Sequence, residues 1–193
     1  MNLSIWFYCL AFGCLACSKP STTFSPNLPV DDGPYKVTAL LNDSTWFGSA
    51  SASRTLAITG QSACTSNRFD VRFSTDLPFN NTSPKQLVTG CLGDCIPTQV
   101  LVFHNVPLAV GTYNITTLNS CAGQNGAANY YWLLGGDAII KTYNTQPGSN
   151  GWIQVTGYDA DKKVVEGTFD IDLSDQSAKT ARFKKGVFKA PIQ

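Results

Sequence analysis

The chain has 193 residues, with 14 basic and 13 acidic side chains and a formal net charge of +1. This near-neutral charge excludes the basic surface through which nucleic-acid-binding proteins contact phosphates, so no nucleic-acid partner is expected. A hydrophobic fraction of 43% with 16 glycines and 10 prolines is typical of short strands joined by turns. Beyond the N terminus no apolar stripe has the helical period, so little helix is expected.

Residues 1–16 have the pattern of an export signal. Ile5 to Ala16 form an apolar run, which suits the core of a signal peptide and is short of the roughly 20 residues that a membrane-spanning helix requires. The ending Leu15-Ala16-Cys17 resembles the lipobox of bacterial lipoproteins, in which the cysteine is acylated and becomes the first mature residue. Cys17 is the predicted lipidation site and Cys14 the alternative; a plain secretory signal or a retained anchor are the other interpretations.

Residues 17–34 follow as a flexible tether, because four prolines among Ser, Thr, Asn and Asp cannot bury much apolar surface. Each buried acyl methylene contributes about 0.8 kcal/mol, and more than one chain, such as palmitate, is needed for stable attachment. We therefore expect an exported protein held to a membrane by its N-terminal lipid, at the outer membrane or cell surface. Residues 35–193 are expected to form a single β domain.

Strand-like segments fill this domain. They cover residues 36–41, 45–53, 55–61, 68–74, 99–106, 108–115, 130–143 as a long strand or bent pair, 151–158, 163–173 and 179–189. Strict alternation in Arg68 to Ser74 predicts a half-buried strand, and the apolar run Val100 to Phe103 predicts a strand buried on both faces. The last three segments predict a meander, the final one with a basic, solvated edge. The fold predicted is an antiparallel β-sandwich of about nine to ten strands, with a flattened barrel as the alternative.

The meander carries a family resemblance. Gly151 to Asp159, Val165-Glu166-Gly167-Thr168-Phe169 and Lys185-Gly186-Val187-Phe188 resemble the ending of uncharacterised surface lipoproteins of Bacteroidota type. Pro107 to Tyr113 is similar to an upstream element of the same proteins. The resemblance implies a β-rich envelope lipoprotein. It transfers no activity and no functional residue, because that family has no established activity.

Four cysteines lie in the domain: Cys64, Cys91, Cys95 and Cys121. In an oxidising compartment an even set predicts disulfides, here two. Of three possible connectivities we favour those that join Cys91 and Cys95 each to one of Cys64 and Cys121, since bridges between distant loops constrain the unfolded chain more. A zinc site of four thiolates is the alternative, but it lacks a second closely spaced pair, so no metal is predicted.

No residue pattern predicts catalysis. His104 is the only histidine, no G-x-S-x-G motif supplies a nucleophile, and a hydrogen-bonded structural role is the favoured interpretation. Asp159-Ala160-Asp161 precedes lysines that would oppose a cation, so it predicts a hairpin turn rather than a calcium loop. Glu166, Asp170 and Asp172 occupy positions that strand alternation makes polar anyway. We expect neither enzymatic activity nor a cofactor. A hydrolase is the third functional hypothesis, after the two described next.

Aromatic side chains are the remaining candidates for binding. Trp132, Trp152, Tyr130 and Tyr143 lie among Asn and Gln residues, a combination that sugar-binding surfaces use, although core filling is the common fate of such rings. The first functional hypothesis is a structural or interaction domain of the cell envelope with an envelope-protein partner and buried tryptophans. The alternative is a carbohydrate-binding surface lipoprotein of a nutrient-capture system, with Trp132 or Trp152 exposed to a glycan.

Overall fold

The computed structural model describes residues 36–57, 64–75, 98–118, 121, 126–134 and 138–193. These residues form ten strands and one short 3-10 helix, Ile115–Thr117. The strands are β1 Lys36–Leu41, β2 Ser44–Arg54, β3 Arg68–Ser74, β4 Thr98–Pro107, β5 Gly111–Asn114, β6 Ala128–Leu134, β7 Ala138–Asn144, β8 Gly151–Asp159, β9 Val164–Ser174 and β10 Thr180–Pro191. The all-β prediction is confirmed. The signal peptide, the tether, Cys14 and Cys17 lie outside the described residues.

The described strands pair antiparallel in one continuous, curved arrangement. Hydrogen-bonded neighbours follow the order β10-β1-β2-β3-β4-β6-β7-β9, and β9 pairs back to β10. β8 lies beside β9, and β5 lies beside β8. The ring is uneven, because β7 joins β9 through the single pair Asn144 and Ser174, whereas β9 and β10 pair over their whole lengths. The result is the sandwich-like fold expected from the sequence.

One core fills the space between the strands. The inward residues Phe69, Val71 and Phe73 of β3 are fully buried, as their alternation predicts. All four residues from Val100 to Phe103 of β4 are buried as well, which confirms a strand covered on both sides. Leu101 and Phe103 belong to the main core, while Val100 and Val102 form a second cluster with Leu133.

Two glycine-x-phenylalanine segments interlock in the meander. Gly167 of β9 pairs with Phe188 of β10, and Gly186 of β10 pairs with Phe169 of β9. A Cβ atom at Gly167 would lie 2.6 Å from a ring carbon of Phe188, and one at Gly186 would lie 2.5 Å from a ring carbon of Phe169. Each phenylalanine ring therefore occupies the space that the opposite glycine leaves open. Close packing explains why a glycine faces a phenylalanine at both positions.

Some predicted elements differ from the structure. β10 is not an edge strand, because it pairs with β1 on one side and β9 on the other. Residues 55–57 are not in a strand, and the predicted strand over 108–115 is reduced to Gly111–Asn114 before the 3-10 helix begins. Asn114 ends that strand because its side-chain oxygen accepts a hydrogen bond from the Thr116 amide and caps the helix.

No helix in the described part of the chain is long and apolar enough to cross a bilayer.

Candidate functional site

The single histidine lies in a polar cluster on the outer side of β3, β4 and β6. His104 Nδ1 is 3.2 Å from Asp70 Oδ2, and His104 Nε2 is 2.8 Å from Asn129 Oδ1. The side chains of His104 and Asp70 are 16% and 27% exposed, so the cluster is half-buried. The structure thus brings together a histidine and a carboxylate that are 34 residues apart in the chain.

Asp70 supports a bulge in the neighbouring strand β4. The β3–β4 register shifts between Phe69 and Val71, and Asn105 takes a positive φ of 55°. Asp70 Oδ1 accepts a hydrogen bond from the Asn105 backbone N–H at 2.7 Å. The carboxylate therefore satisfies a backbone donor at a bulge that returns Val106 to the core, whereas His104 lies on the outer side with Val100 and Val102 by regular alternation.

The same arrangement recurs in the meander, where no histidine is present. Lys185 has a positive φ of 53° at a register shift of β10, and its backbone N–H donates to Asp170 Oδ1 at 2.7 Å. An aspartate on the neighbouring strand supports the bulge in both places. The contact of Asp70 with Asn105 is therefore a structural device of this fold rather than a sign of catalysis.

Both ring nitrogens of His104 are engaged by Asp70 and Asn129. A carboxylate only accepts hydrogen bonds, so the nitrogen facing Asp70 carries a hydrogen. Within the described residues, no serine, threonine or cysteine side chain is hydrogen-bonded to His104. A nucleophilic mechanism requires such a contact. The favoured interpretation of His104 as a hydrogen-bonded structural histidine agrees with these contacts.

The carboxylates of β9 are held by β10 rather than by one another. Glu166 forms an ion pair with Lys189, and Asp172 Oδ1 is 3.1 Å from Lys184 Nζ. Asp170 accepts the Lys185 bulge hydrogen bond described above. Each acidic group therefore has its own cross-strand partner, and these contacts account for the acidic row as part of the strand pairing. The side chains of Lys184 and Lys189, which were predicted to lie on a solvated edge, contact this acidic row and remain partly exposed.

Asp159 closes the β8–β9 hairpin. Its Oδ1 atom accepts hydrogen bonds from the backbone N–H groups of Lys162 at 2.9 Å and Asp161 at 3.1 Å. The Lys162 backbone hydrogen bond is the main cause that lowers the pKa of the Asp159 carboxyl, followed by the Lys162 side chain. These contacts confirm the predicted hairpin turn.

Three of the four predicted binding aromatics lie together at one end of the core. Tyr130 is 1% exposed and Tyr143 is 5% exposed, and their ring centroids are 5.5 Å apart. Tyr130 Oη accepts a hydrogen bond from Trp132 Nε1 at 2.7 Å and donates to Gln99 Oε1 at 2.7 Å. Burial raises the pKa of the Tyr130 phenol well above its ordinary value, so the group stays neutral. Tyr130 and Tyr143 pack in the core, with no ring face open to a sugar.

Trp132 is the only one of these three that reaches the surface. Its ring is half-buried, and the Nζ atom of Lys141 lies 4.9 Å from its centroid and 4.9 Å from that of Tyr143. The Lys141 ammonium therefore already covers this end of the aromatic cluster through cation–π contacts.

Trp152 lies apart from the other three, on the outer side of β8. The next residue, Ile153, is fully buried, so Trp152 points outward and is half-buried. Its cross-strand partners are Asp170 on β9 and Asn114 on β5. Trp132 and Trp152 are thus both half-buried, whereas the first hypothesis expects buried tryptophans and the alternative an exposed one.

A groove lies on the same outer side as Trp152, across β8, β9, β10 and β1. It has a volume of about 270 Å³. Its lining residues are Lys36, Thr38, Thr156, Glu166, Gly167, Thr168, Val187, Phe188 and Lys189. None of them was predicted as a binding residue, because the groove exists only once β10 pairs with both β1 and β9.

The structure joins Cys64 to Cys121 in a disulfide, with their Cα atoms 5.7 Å apart. The favoured connectivity, in which both cysteines pair with Cys91 and Cys95, is therefore wrong. It rested on chain entropy alone, whereas the fold brings the two distant cysteines side by side. The bridge also removes two thiolates from the alternative zinc site. Cys91 and Cys95 lie outside the described residues.

No protein-family model matches this chain, and neither a curated protein nor a solved structure matches it significantly. No residue role can therefore be transferred from a relative. The resemblance to envelope lipoproteins stays a prediction from the sequence.

Proposed function

We propose that the protein is an exported lipoprotein, anchored through an acylated Cys17, whose β-sandwich domain has a non-catalytic structural or interaction role in the cell envelope. The tether of residues 17–34 holds the domain away from the membrane. In this role the domain acts through contacts of its surface with an envelope partner or a glycan.

The Cys64–Cys121 disulfide carries this proposal. Disulfides persist in oxidising compartments and are rare in the cytosol, so the bridge supports the export that the N-terminal sequence predicts. The two cysteines are separated by 57 residues in the sequence, so the bridge strongly restricts the unfolded chain and stabilises the folded domain. Such stabilisation suits a protein displayed outside the cell.

The outer-face polar cluster supports a role without catalysis. His104 is held between Asp70 and Asn129, and Asp70 supports a backbone bulge as Asp170 does elsewhere. The most reactive side chains of the described domain thus have contacts that stabilise strands. A hydrolase would need a nucleophile or water placed against one of them.

Acylation of Cys17 can be tested in a bacterium that processes lipoproteins, by metabolic labelling with radioactive palmitate. Full-length wild type and Cys14→Ser are expected to incorporate palmitate and to sediment with membranes. Cys17→Ser is expected to do neither, because the acyl acceptor is gone. Labelling of Cys17→Ser, or an unlabelled wild type, would contradict the proposal; the Cys14→Ser variant controls for the loss of a neighbouring thiol in the signal.

A further inference from the structure

The outward side chains of the meander form a continuous surface with β1. Thr38 of β1 pairs with Val187 of β10, Val187 pairs with Thr168 of β9, and Thr168 pairs with Gln154 of β8. Trp152 lies two residues before Gln154 on the same side of β8. We call this surface, comprising Trp152, Gln154 and the outward residues of the groove, the meander face.

A bulge shapes the groove of the meander face. The β8–β9 register shifts between Val155 and Gly157, which leaves Thr156 as an extra, exposed residue. Bulges re-aim side chains in this way, and Thr156 forms one wall of the groove. Lys36 and Lys189 lie on the other strands that line it.

The groove offers hydrogen-bond donors and acceptors in nearly equal measure. The three hydroxyls of Thr38, Thr156 and Thr168 can each donate and accept, Glu166 accepts, and the two lysines donate. Glu166 and Lys189 form an ion pair, and Lys36 gives the groove lining a net charge of +1. Such a lining suits a ligand rich in hydroxyl groups. The threonine hydroxyls make the groove unsuitable for an apolar ligand. The Glu166 carboxylate makes it unsuitable for a polyanion.

Apolar surface is present beside these polar groups. Val187 is 53% exposed between Thr38 and Thr168, and the half-buried ring of Trp152 lies beyond Gln154. Sugars combine hydroxyl groups with apolar C–H faces that pack on aromatic rings. Trp152 and Thr156 are about 13 Å apart along β8, at about 3.3 Å per residue, which favours an extended ligand over a single ring.

We infer that the meander face binds an oligosaccharide, with one sugar packed on Trp152 and the next in the groove. Gln154 lies between the two positions, and its Oε1 atom already accepts a hydrogen bond from Thr168 at 3.3 Å. The groove volume is close to the lower limit of small-molecule sites, about 300 Å³, so it holds a short segment of a longer chain. The inference rests on the proposed function in requiring that the domain acts by binding.

Calorimetric titration of the full-length, detergent-solubilised protein tests this site. The probes are maltohexaose, cellohexaose and chitohexaose, with a galacturonate hexamer and inorganic phosphate as anionic controls. Trp152→Ala should weaken saccharide binding by about tenfold or more, since the stacking ring is lost. Val187→Arg should abolish it by filling the groove. Ile139→Arg is the matched control and should bind as wild type, because Ile139 is 62% exposed on β7, outside the meander face.

The outcomes separate this inference from the proposed function. A folded wild type that binds none of the three neutral saccharides, or binds only an anionic control, would overturn the meander-face site. Equal affinities for wild type, Trp152→Ala and Val187→Arg would also overturn it. Palmitate labelling is measured on the same preparation. If the protein is labelled but does not bind saccharide, only the meander-face site is rejected. If it is unlabelled but binds saccharide through Trp152, only the lipid anchor is rejected.

Discussion

Gly167→Ala is expected to destabilise the domain, because the new methyl group has no space. The added Cβ atom would overlap the backbone oxygen of Gln154 and lie 2.6 Å from a ring carbon of Phe188. Relief requires β8 to move away or the ring to leave its place in the core. Overpacking of this kind costs about 1–3 kcal/mol. A domain of this size loses about 2–4 °C per kcal/mol, so the melting temperature should fall by about 2–12 °C.

Gly157→Ala in the same hairpin is the matched control for this experiment. A Cβ atom at Gly157 meets no atom within 4 Å, so the substitution should be neutral or stabilise by up to about 1 kcal/mol. Both variants can be compared by calorimetry without reductant. Equal melting temperatures for Gly167→Ala and wild type would refute the β8–β9 register, and with it the assignment of Trp152 and Thr168 to the outer side.

Three further predictions concern polar groups and the disulfide. Asp70→Ala should lower the free energy of unfolding by about 1–3 kcal/mol, since the Asn105 N–H loses its acceptor, and Asp70→Asn should lower it less. Equal urea midpoints for wild type and both variants would exclude the role of Asp70 in supporting the bulge. Replacing both Cys64 and Cys121 by Ala should cost about 4 kcal/mol in the chain-entropy estimate for a separation of 57 residues, and unchanged urea unfolding would show that the bridge does not form. Because the pKa of Tyr130 is raised in the folded protein, the phenol loses its proton at a lower pH in the unfolded chain than in the folded one. Its contribution to the free energy of unfolding is therefore fully present below about pH 10 and falls as the pH rises further. Urea unfolding at rising pH should show a shallower fall for Tyr130→Phe, and identical slopes would contradict a buried neutral phenol.

Local sequence patterns predict the strands well where one physical signal dominates. The bounds of β3 agree with alternation, since Phe69, Val71 and Phe73 are apolar and buried while Arg68, Asp70 and Arg72 face outward. β4 is recognisable because Val100 to Phe103 leave no polar face. The meander is predictable because each of its strands is long and bounded by a turn with Asp or Ser.

Pairings between distant strands are not encoded in such patterns. β10 has the composition of an edge because Lys184 and Lys189 are charged, yet both lysines pair with acidic residues of β9. β10 is an interior strand only because it also pairs with β1, and these two strands are the first and the last of the described sequence. The Cys64–Cys121 contact likewise depends on the fold, not on the spacing of cysteines.

The candidate site shows the same division. The sequence identifies Trp152 as one of four aromatic binding candidates, but Tyr130 and Tyr143 carry the same signal and are buried. No local sequence feature distinguishes the buried rings from Trp152, because a shift of one residue in strand register turns every side chain to the opposite face. The bulge that exposes Thr156 and completes the groove is set by the register of two strands and is visible only in three dimensions.

The central claim is tested most directly by the intact mass of the protein from its host's membrane fraction, before and after reduction and alkylation. The account predicts a diacylated or triacylated chain that begins at Cys17, with Cys64 and Cys121 alkylated only after reduction. An unlipidated chain whose Cys64 and Cys121 thiols react without reduction would contradict both the anchor and the oxidising compartment.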